Sequence, residues 1–551
     1  MAVLLSICAL LAPALGWDSG RTLIHLSYFD MASDALHFGP RSLVDLYWSP
    51  LYPALLAGWL GVFRPSPAAE LPCVIFLNWL IFVLCFLSFW FFCSSWQRAL
   101  RPPGGADSDD RSFHKTIAYL GIGVFFWCVT SFVGINWVTP DLCVAAIVFL
   151  AAGVCCRLSP APAGWRMYGF LGAVLGLGYY AKAAMFPAAL LLLSCLLAFP
   201  PSTPPNRRGI ALAAGVFLLT ATPLIALMSR RAGHPTIGEA GRLNYAWYVN
   251  KVPPFFWMTV WTGGPPGHGA PLHPIRQLSD NPRLVEFESP VGGTFPLFRD
   301  PAYWYDGVRA SFNLTQQLAV LRGHLTFFLQ LAKDVSVLLG GALALCVLTL
   351  RTKSRPRPTA PFRWMIAWPI AVFGMYSCVH IEERFVAAFI VLLGLAVFGV
   401  LLCRVDPEAG RVAAITVACS LLLQVALLYS YGAGKRVWHE VIGHGQQPWY
   451  LAVAEQLRQI GIHPGDRLAL VGQDPPEYGV RLAGARIVAM FPDADSYWKA
   501  GAPDLARAQE QLRKAGIKAL LATKSDAIGA DAAGWTAISD SGYMVRLLDA
   551  P

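Results

Sequence analysis

The sequence predicts an all-α polytopic membrane bundle of about eleven transmembrane helices, followed by a small soluble α/β domain. Composition supports this prediction, because 56% of the 551 residues are hydrophobic and only 14% are charged. Apolar runs long enough to cross a bilayer also recur up to about residue 431. After that residue the composition changes, and short strand-like and helix-like runs alternate. We therefore expect a membrane domain at 1–431 and a soluble domain at 432–551.

Apolar stretches separated by polar loops define the predicted spans. In chain order the spans are 2–15, 72–94, 116–133, 142–157, 167–180, 184–199, 209–228, 326–350, 364–379, 385–403 and 412–431. Residues 1–16 end in small residues, as a signal peptide does, but they lack a basic N-terminal region. We therefore expect an uncleaved first span.

Basic residues fall in alternate loops, which predicts the orientation in the membrane. The positive-inside rule assigns the Lys- and Arg-rich loops to the cytoplasm; these are 95–115, 157–166, 207–208, 351–363 and 404–411. The outward set is then 16–71, 134–141, 181–183, 229–325, 380–384 and 432–551. The net charge of +10 reflects this orientation, and no nucleic-acid partner is expected.

The outward segments have patterns of their own. Residues 43–63 are too short and too polar to span, and they predict a helix in the membrane interface. The loop 229–325 is rich in Trp and Tyr, which fits an aromatic belt, the commoner case, or a sugar-binding wall. In the tail the patterns predict strands at 467–471, 485–491, 518–522 and 543–548 and helices at 448–460 and 502–515. The tail has no phosphate-binding or nucleophile motif, so we expect no catalytic role for it.

The thirteen cysteines all lie in or beside apolar stretches. Their placement excludes a disulfide framework in the long polar segments, and their spacing is not that of a zinc site. The sequence therefore predicts no cofactor and names no metal ligands, and it leaves metal dependence open.

Two acidic residues stand where predicted spans meet the outer side. Asp18 follows the first apolar stretch, and Asp141 lies in the short turn between two spans. A carboxylate beside hydrocarbon is costly, so each is a candidate functional group, although each is also compatible with a plain helix cap. The candidate cations on the same side are Lys182, Arg384, Arg21 and Arg242.

The other candidates also have plain alternatives. Lys182 is able to snorkel to the interface, although it lies on the non-basic side of the membrane. Arg384 has Glu382 and Glu383 as neighbours in the chain, and a simple ion pair would account for it. His380 fits a hydrogen-bonded interface histidine better than a metal ligand.

These residue types suit one chemistry at an outer membrane face. Nucleotide sugars are absent there, so a natural activated donor is a sugar carried on a polyprenyl phosphate. Transfer needs a carboxylate that takes the proton of an acceptor hydroxyl, and cations where the phosphate leaves. We expect Asp18 to act as the base, Asp141 to assist or orient, and the cations to hold the phosphate.

Short motifs in a fixed order strengthen this interpretation. They are WDSG at 17–20, SPLYP at 49–53, VTPDL at 138–142, GLGYYAK at 176–182 and HIEERF at 380–385. Together they resemble the outer-side motifs of the GT-C glycosyltransferases, which include bacterial lipid A aminoarabinose transferase and the protein O-mannosyltransferases. The resemblance covers roughly residues 1–430 and implies about a dozen helices, outward catalysis and a lipid-phosphate-sugar donor. It also implies Tyr52 and His380 as further site candidates.

The predicted function is therefore transfer of a sugar from a polyprenyl-phosphate donor to a hydroxyl of a glycan, lipid or protein, with inversion. The expected location is the cytoplasmic membrane of a bacterium, with the site and the tail outside. The rival class is a transporter or lipid flippase, but transporters place polar groups near the midplane, often in paired halves. A second rival, a scaffold presenting the tail, has little use for acids and cations at span ends.

Asp18→Asn should abolish transfer while donor binding and stability in detergent stay near wild type. The amide preserves size but does not accept the proton, and a positioned base contributes about a hundred- to ten-thousandfold. Transfer of a radiolabelled sugar from polyprenyl phosphate measures the effect. The Asn variants of Asp30, Asp34 and Asp45 in the same loop are the controls and should be much milder. Near-normal transfer by Asp18→Asn would contradict the assignment, and loss in Asp45→Asn instead would move the base there.

Overall fold

The computed structural model of the protein describes most of the chain outside its first 24 residues. The described residues are 25–99, 108–158, 164–201, 206–253, 267–273, 275–287, 290–351, 363–437, 448–526, 534–538 and 541–548. The predicted span 2–15, Asp18 and Arg21 lie outside the described residues.

The described part is mostly helical. The helices of the membrane part and its outer loops are α1 (Leu26–Phe38), α2 (Leu51–Phe63), α3 (Pro67–Ala99), α4 (Ser108–Cys128), α5 (Asp141–Arg157), α6 (Trp165–Ala181), α7 (Met185–Ala198), α8 (Arg207–Ala232), α9 (Ala240–Asn244), α10 (Pro296–Arg299), α11 (Pro301–Trp304), α12 (Leu314–Asp334), α13 (Ser336–Arg351), α14 (Arg363–Ser377), α15 (Glu383–Leu402) and α16 (Pro407–Val437). One π-helical turn (Val129–Val133) extends α4 and another (Tyr245–Val249) extends α9.

Five described helical segments are long and apolar enough to cross a membrane: α3, residues 115–133 of α4 and its π-helical turn, α8, α15 and α16. The pair α12 and α13 would add a sixth. The segment 326–350, predicted as one span, is instead bent by 73° at a break beside Val335. Polar residues, Lys333 and Asp334, lie at this break. The total of about eleven spans stays a prediction.

Close helix packing sets the positions of α5 and α6. Gly172 and Gly176 of α6 face α8, where an added Cβ would overlap the Ala213 carbonyl or the Thr220 side chain. Gly153 of α5 faces Phe91 of α3 in the same way. Small residues at this spacing let backbones approach closely, which favours van der Waals packing in a membrane. The start of α5 and the end of α6 are thereby fixed at the same end of the bundle.

The C-terminal part forms a mixed sheet with helices. Its helices are α17 (Trp449–Gln459), α18 (Glu477–Leu482), α19 (Ala494–Lys499) and α20 (Ala502–Lys514). Its strands are β3 (Arg467–Val471), β4 (Arg486–Phe491), β5 (Ile517–Thr523), β6 (Thr536–Ile538) and β7 (Tyr543–Leu547). The four predicted strands and two predicted helices are confirmed, within one or two residues at their ends.

The sheet has a second source in the chain that the sequence pattern did not indicate. The outer loop 229–325 supplies β1 (Arg276–Asp280) and β2 (Arg283–Glu286), and the strand order is β1-β2-β4-β3-β5-β7-β6. β3 pairs in parallel with β4 and β5, whereas β2 pairs antiparallel with β4. The loop and the tail therefore meet on one side of the molecule, as the charge pattern predicted.

The β1-β2 hairpin should stabilise the C-terminal sheet. Leu284 and Val285 of β2 are almost fully buried, and burial of one such side chain contributes about 1.5 to 3 kcal/mol. We compare fragment 448–548 alone with the same fragment fused to residues 275–287 by a flexible linker. Urea unfolding should give the fused form a free energy of unfolding higher by at least about 2 kcal/mol. The control is the fusion with Val285→Asp, and equal stability of the two wild-type forms would contradict this account.

Candidate active site

Asp141 is the first residue of α5, and its carboxylate lies at the N-terminus of that helix. Only 2% of its side chain is exposed. A helix N-terminus favours an anion there, but a carboxylate so buried also requires a cation or hydrogen-bond donors. Among the described residues its Oδ1 accepts from Lys182 and its Oδ2 accepts no hydrogen bond, so the plain capping role does not account for it.

Two cations from other helix ends face this carboxylate. Lys182 directly follows α6, and its Nζ donates to Asp141 Oδ1 at 2.7 Å. Arg384 lies in the first turn of α15, and its Nη1 stands 3.7 Å from Asp141 Oδ2. The Lys182 ammonium also sits 3.6 Å from the centroid of the Phe385 ring. We refer to Asp141, Lys182 and Arg384 as the cation–acid cluster.

One oxygen of the cluster has spare hydrogen-bonding capacity. Asp141 Oδ2 is buried and accepts no hydrogen bond from any described residue. An oxygen left in this state is costly in a folded protein. A ligand hydroxyl or other donor that enters the cluster would satisfy it.

A second tier of polar groups holds Arg384. Its Nε donates to Glu382 Oε2 at 2.6 Å, and its Nη1 donates to His25 Nε2 at 3.2 Å. His380 Nε2 donates to the other oxygen of Glu382 at 2.9 Å. The Tyr248 ring of the outer loop stacks on His380 with centroids 3.9 Å apart and planes within 3°. The guanidinium is therefore fixed by groups from three separate segments of the chain.

Burial and charge set the protonation of this tier. Burial lowers the pKa of His25 to about 4, and the positive charges of Arg384 and Lys182 add to the shift. Burial would raise the pKa of Glu382, but the hydrogen bonds from His380 and Arg384 hold it at about 2. Burial lowers the pKa of Lys182 even though Asp141 opposes the shift. At neutral pH His25 is neutral and acts as an acceptor, whereas an additional anion near Lys182 would favour its charged form.

Tyr52 supports the turn that carries Asp141. Its hydroxyl donates to Asn78 Oδ1 at 2.8 Å, and Asn78 Nδ2 donates to the carbonyl oxygens of Ile135 and Trp137. These hydrogen bonds hold the turn that leads into α5. The structure thus gives Tyr52 a supporting contact rather than a place in the cluster.

The remaining sequence candidates lie apart from the cluster. Arg242 binds Glu239 and the Val308 carbonyl oxygen, and none of its contacts among the described residues is with the cluster. Asp30 accepts two hydrogen bonds from Thr294, at 2.8 and 2.9 Å. These contacts give both residues structural roles in the outer layer.

Asp34 and Asp45, the other two acids of the first loop, share one arginine. Arg299 lies 2.8 Å from Asp34 and 3.1 Å from Asp45. Both carboxylates are held by one guanidinium in the outer layer, apart from the cluster.

Sequence reasoning missed His25 and Asn78. Neither stands in a recognisable motif, and each matters only through a contact with a residue more than 25 positions away. Within the described ranges no group of three His, Cys, Asp or Glu residues is arranged to hold a metal ion. The arrangement is suited to binding an anion at the two cations and a donor group at Asp141.

Comparison with known proteins identifies the fold. No protein-family model and no curated protein sequence matches the chain. The crystal structure of apo ArnT from Cupriavidus metallidurans matches with a TM-score of 0.55 and 15% identity, over 100% of this chain and 98% of ArnT. ArnT bound to undecaprenyl phosphate gives 0.52 at the same identity and coverage. The oligosaccharyltransferase of Archaeoglobus fulgidus in complex with Zn and sulfate gives 0.47 and 14% identity, over 96% of this chain and 69% of that protein. The chain has an ArnT-like fold, and the predicted GT-C resemblance is confirmed at that level.

Acid should destabilise the protein through His25. Its pKa falls from 6.5 to about 4 on folding, so between these values the unfolded chain binds a proton that the folded chain does not. Stability present above pH 6.5 is lost as the pH falls towards 4, by on the order of 3 kcal/mol. The melting temperature in detergent should fall over this window, and His25→Gln should flatten the fall. His463→Gln, at an exposed histidine of the C-terminal domain, is the control, and an unchanged slope in His25→Gln would contradict the assignment.

Proposed function

We propose that the protein is a membrane glycosyltransferase that uses a sugar linked to polyprenyl phosphate. The observation that carries the proposal is the buried carboxylate of Asp141 between Lys182 and Arg384, at one end of an ArnT-like bundle. ArnT, which shares this fold, has been seen with undecaprenyl phosphate bound. A carrier of the same class would bring its phosphate to these two cations.

The charges of the cluster favour the leaving phosphate. Without a ligand, Asp141 and Glu382 balance Lys182 and Arg384. The donor phosphodiester brings one negative charge, and cleavage of its bond to the sugar leaves a second on the departing oxygen. Because the cations are already in place, their attraction for the phosphate grows as that bond breaks. This difference between ground state and transition state accelerates transfer.

Asp141 is better suited to orientation than to proton abstraction. Its Oδ1 already accepts a hydrogen bond from Lys182, so only Oδ2 is open to a ligand. Its free Oδ2 is able to accept a hydrogen bond from a sugar or acceptor hydroxyl. Proton abstraction then falls to another acid, and Asp18 remains the predicted base.

The reaction balances as one inverting displacement. The acceptor oxygen forms a bond to the anomeric carbon while the bond from that carbon to the phosphate oxygen breaks. The acceptor proton goes to the base, and the bonding electrons leave with the polyprenyl phosphate. One displacement inverts the anomeric carbon, and it needs one base and one stabilised leaving group. The proposed site faces outward from the cytoplasmic membrane, as the loop charges predict.

Lys182→Gln and Arg384→Gln should lower kcat for transfer by about ten- to a thousandfold, because each removes a cation from the leaving phosphate. The rate is measured as transfer of a radiolabelled sugar from polyprenyl phosphate to a mixture of cell-envelope acceptors. Arg276→Gln, at an exposed residue of the outer loop, is the matched control and should stay near wild type. Normal kcat in both site variants would mean that other groups hold the phosphate.

The fold of each variant needs its own control. Removing Lys182 leaves Asp141 buried with one distant cation, and an uncompensated buried charge costs about 3 to 5 kcal/mol. The double variant Lys182→Gln with Asp141→Asn restores neutrality. It should recover the melting temperature but not the transfer rate. Recovery of both would show that Lys182 acts through stability alone.

A further inference from the structure

The C-terminal domain contacts the first outer helix through α18, where the Tyr478 ring packs on Phe29 and a buried arginine makes the polar contacts. Arg481 of α18 is 13% exposed and reaches into the membrane part. It contacts Glu70 at 3.1 Å and Asp30 at 3.5 Å. Because this guanidinium is taken out of water, its stability depends on partners such as these two carboxylates.

Arg481 grips one face of α1. It donates to Ser33 Oγ at 3.1 Å, lies 5.0 Å from the centroid of the Phe29 ring, and faces Asp30. Residues 29, 30 and 33 lie on one side of a helix. The contact therefore fixes the rotation of α1 about its axis as well as its position.

The outer loop also binds Asp30 of α1. The backbone N–H and the hydroxyl of Thr294 both donate to Asp30, and the Thr294 carbonyl accepts from the N–H of Ile487 in β4. Asp30 thus joins the first outer helix, the loop 229–325 and the C-terminal sheet.

The residue just before α1 contacts the cation–acid cluster. His25 immediately precedes α1, and its Nε2 accepts from Arg384 Nη1 at 3.2 Å. The rings of Tyr28 and Trp48 lie 6.0 and 6.1 Å from the His25 ring and fix its plane. His25 and Asp30 are five residues apart, or about 7.5 Å along the helix. A helix of this length is a rigid connection between the two contacts.

We propose that Arg481 is a positioning residue for the site: it holds α1 so that His25 keeps Arg384 directed at the donor phosphate. The inference rests on the proposed function, because it assigns Arg384 to the phosphate. It gives the C-terminal domain a part in donor binding, which its sequence did not predict. Arg481 itself touches neither the cluster nor the substrate.

The test measures binding of undecaprenyl phosphate to the full-length protein in detergent. Arg481→Gln should weaken binding by about two- to thirtyfold, the range expected for coupling through a packed element. Arg507→Gln, at an exposed arginine of the same domain that pairs with Asp504, should bind as wild type does. Arg481→Lys keeps the charge near Glu70 but loses the fork that reaches Ser33, so it should fall between the two.

A double-mutant cycle separates positioning from simple stability. In a His25→Gln background, Arg481→Gln should have little further effect on binding, because the contact through which it acts is already altered. Additive losses would overturn the proposal, as would wild-type binding by Arg481→Gln. If Arg481→Gln does not fold, Arg481→Lys carries the same cycle.

The outcomes also separate this inference from the proposed function. If wild type does not bind undecaprenyl phosphate, or if Arg384→Gln binds normally, the phosphate site itself is wrong and the inference falls with it. If wild type binds, Arg384→Gln binds weakly and Arg481→Gln binds normally, only the positioning role is wrong.

Discussion

The account depends on one buried carboxylate and the two cations that neutralise it. Asp141 is enclosed at the start of α5, and the cost of that burial is met by Lys182 from the end of α6 and Arg384 from the start of α15. Three helix ends must therefore converge at one level. The glycine contacts of α6 with α8 and of α5 with α3 allow this convergence, because they let the backbones approach. The charge interaction and the packing thus specify the same arrangement.

Residues of the outer layer position the cations that the bundle brings to the site. Arg384 forms hydrogen bonds with Glu382 and His25. The ring of Tyr248, from the long outer loop, stacks on His380. The same loop contributes two strands to the C-terminal sheet. Outer loop and tail form one structure over the bundle end, so the tail is connected to the site by packing. In the proposed transfer reaction, such a cover would limit water at the reacting bond.

Much of this could be predicted from the sequence, where the signal was local. Asp141, Lys182 and Arg384 stand out as charges beside apolar runs, and the alternation of basic loops puts them on one side. The strands of the tail are short apolar runs between turns, and they are found within one or two residues. The bend beside Val335 was missed because both flanking segments are apolar. The local sequence pattern therefore predicts the type of each of these elements, but it does not predict the bend between two of them.

Other features depend on contacts between distant parts of the chain. The hairpin strands β1 and β2 are only five and four residues long, and β2 pairs with an edge that β4 offers. His25 has no distinctive sequence context, and its role follows only from its hydrogen bond with Arg384, more than 350 residues later. Arg242 resembles the site cations in type and sidedness, yet its guanidinium binds Glu239. The predicted side of the membrane reduces the number of candidate site residues, and only tertiary contacts show which of them lie together.

The most direct test is a structure of the protein in lipid nanodiscs with undecaprenyl phosphate bound. The account predicts the phosphate within hydrogen-bonding distance of Lys182 Nζ and the Arg384 guanidinium, with the Lys182 to Asp141 contact longer than 2.7 Å. A phosphate bound elsewhere, with that contact unchanged, would contradict it.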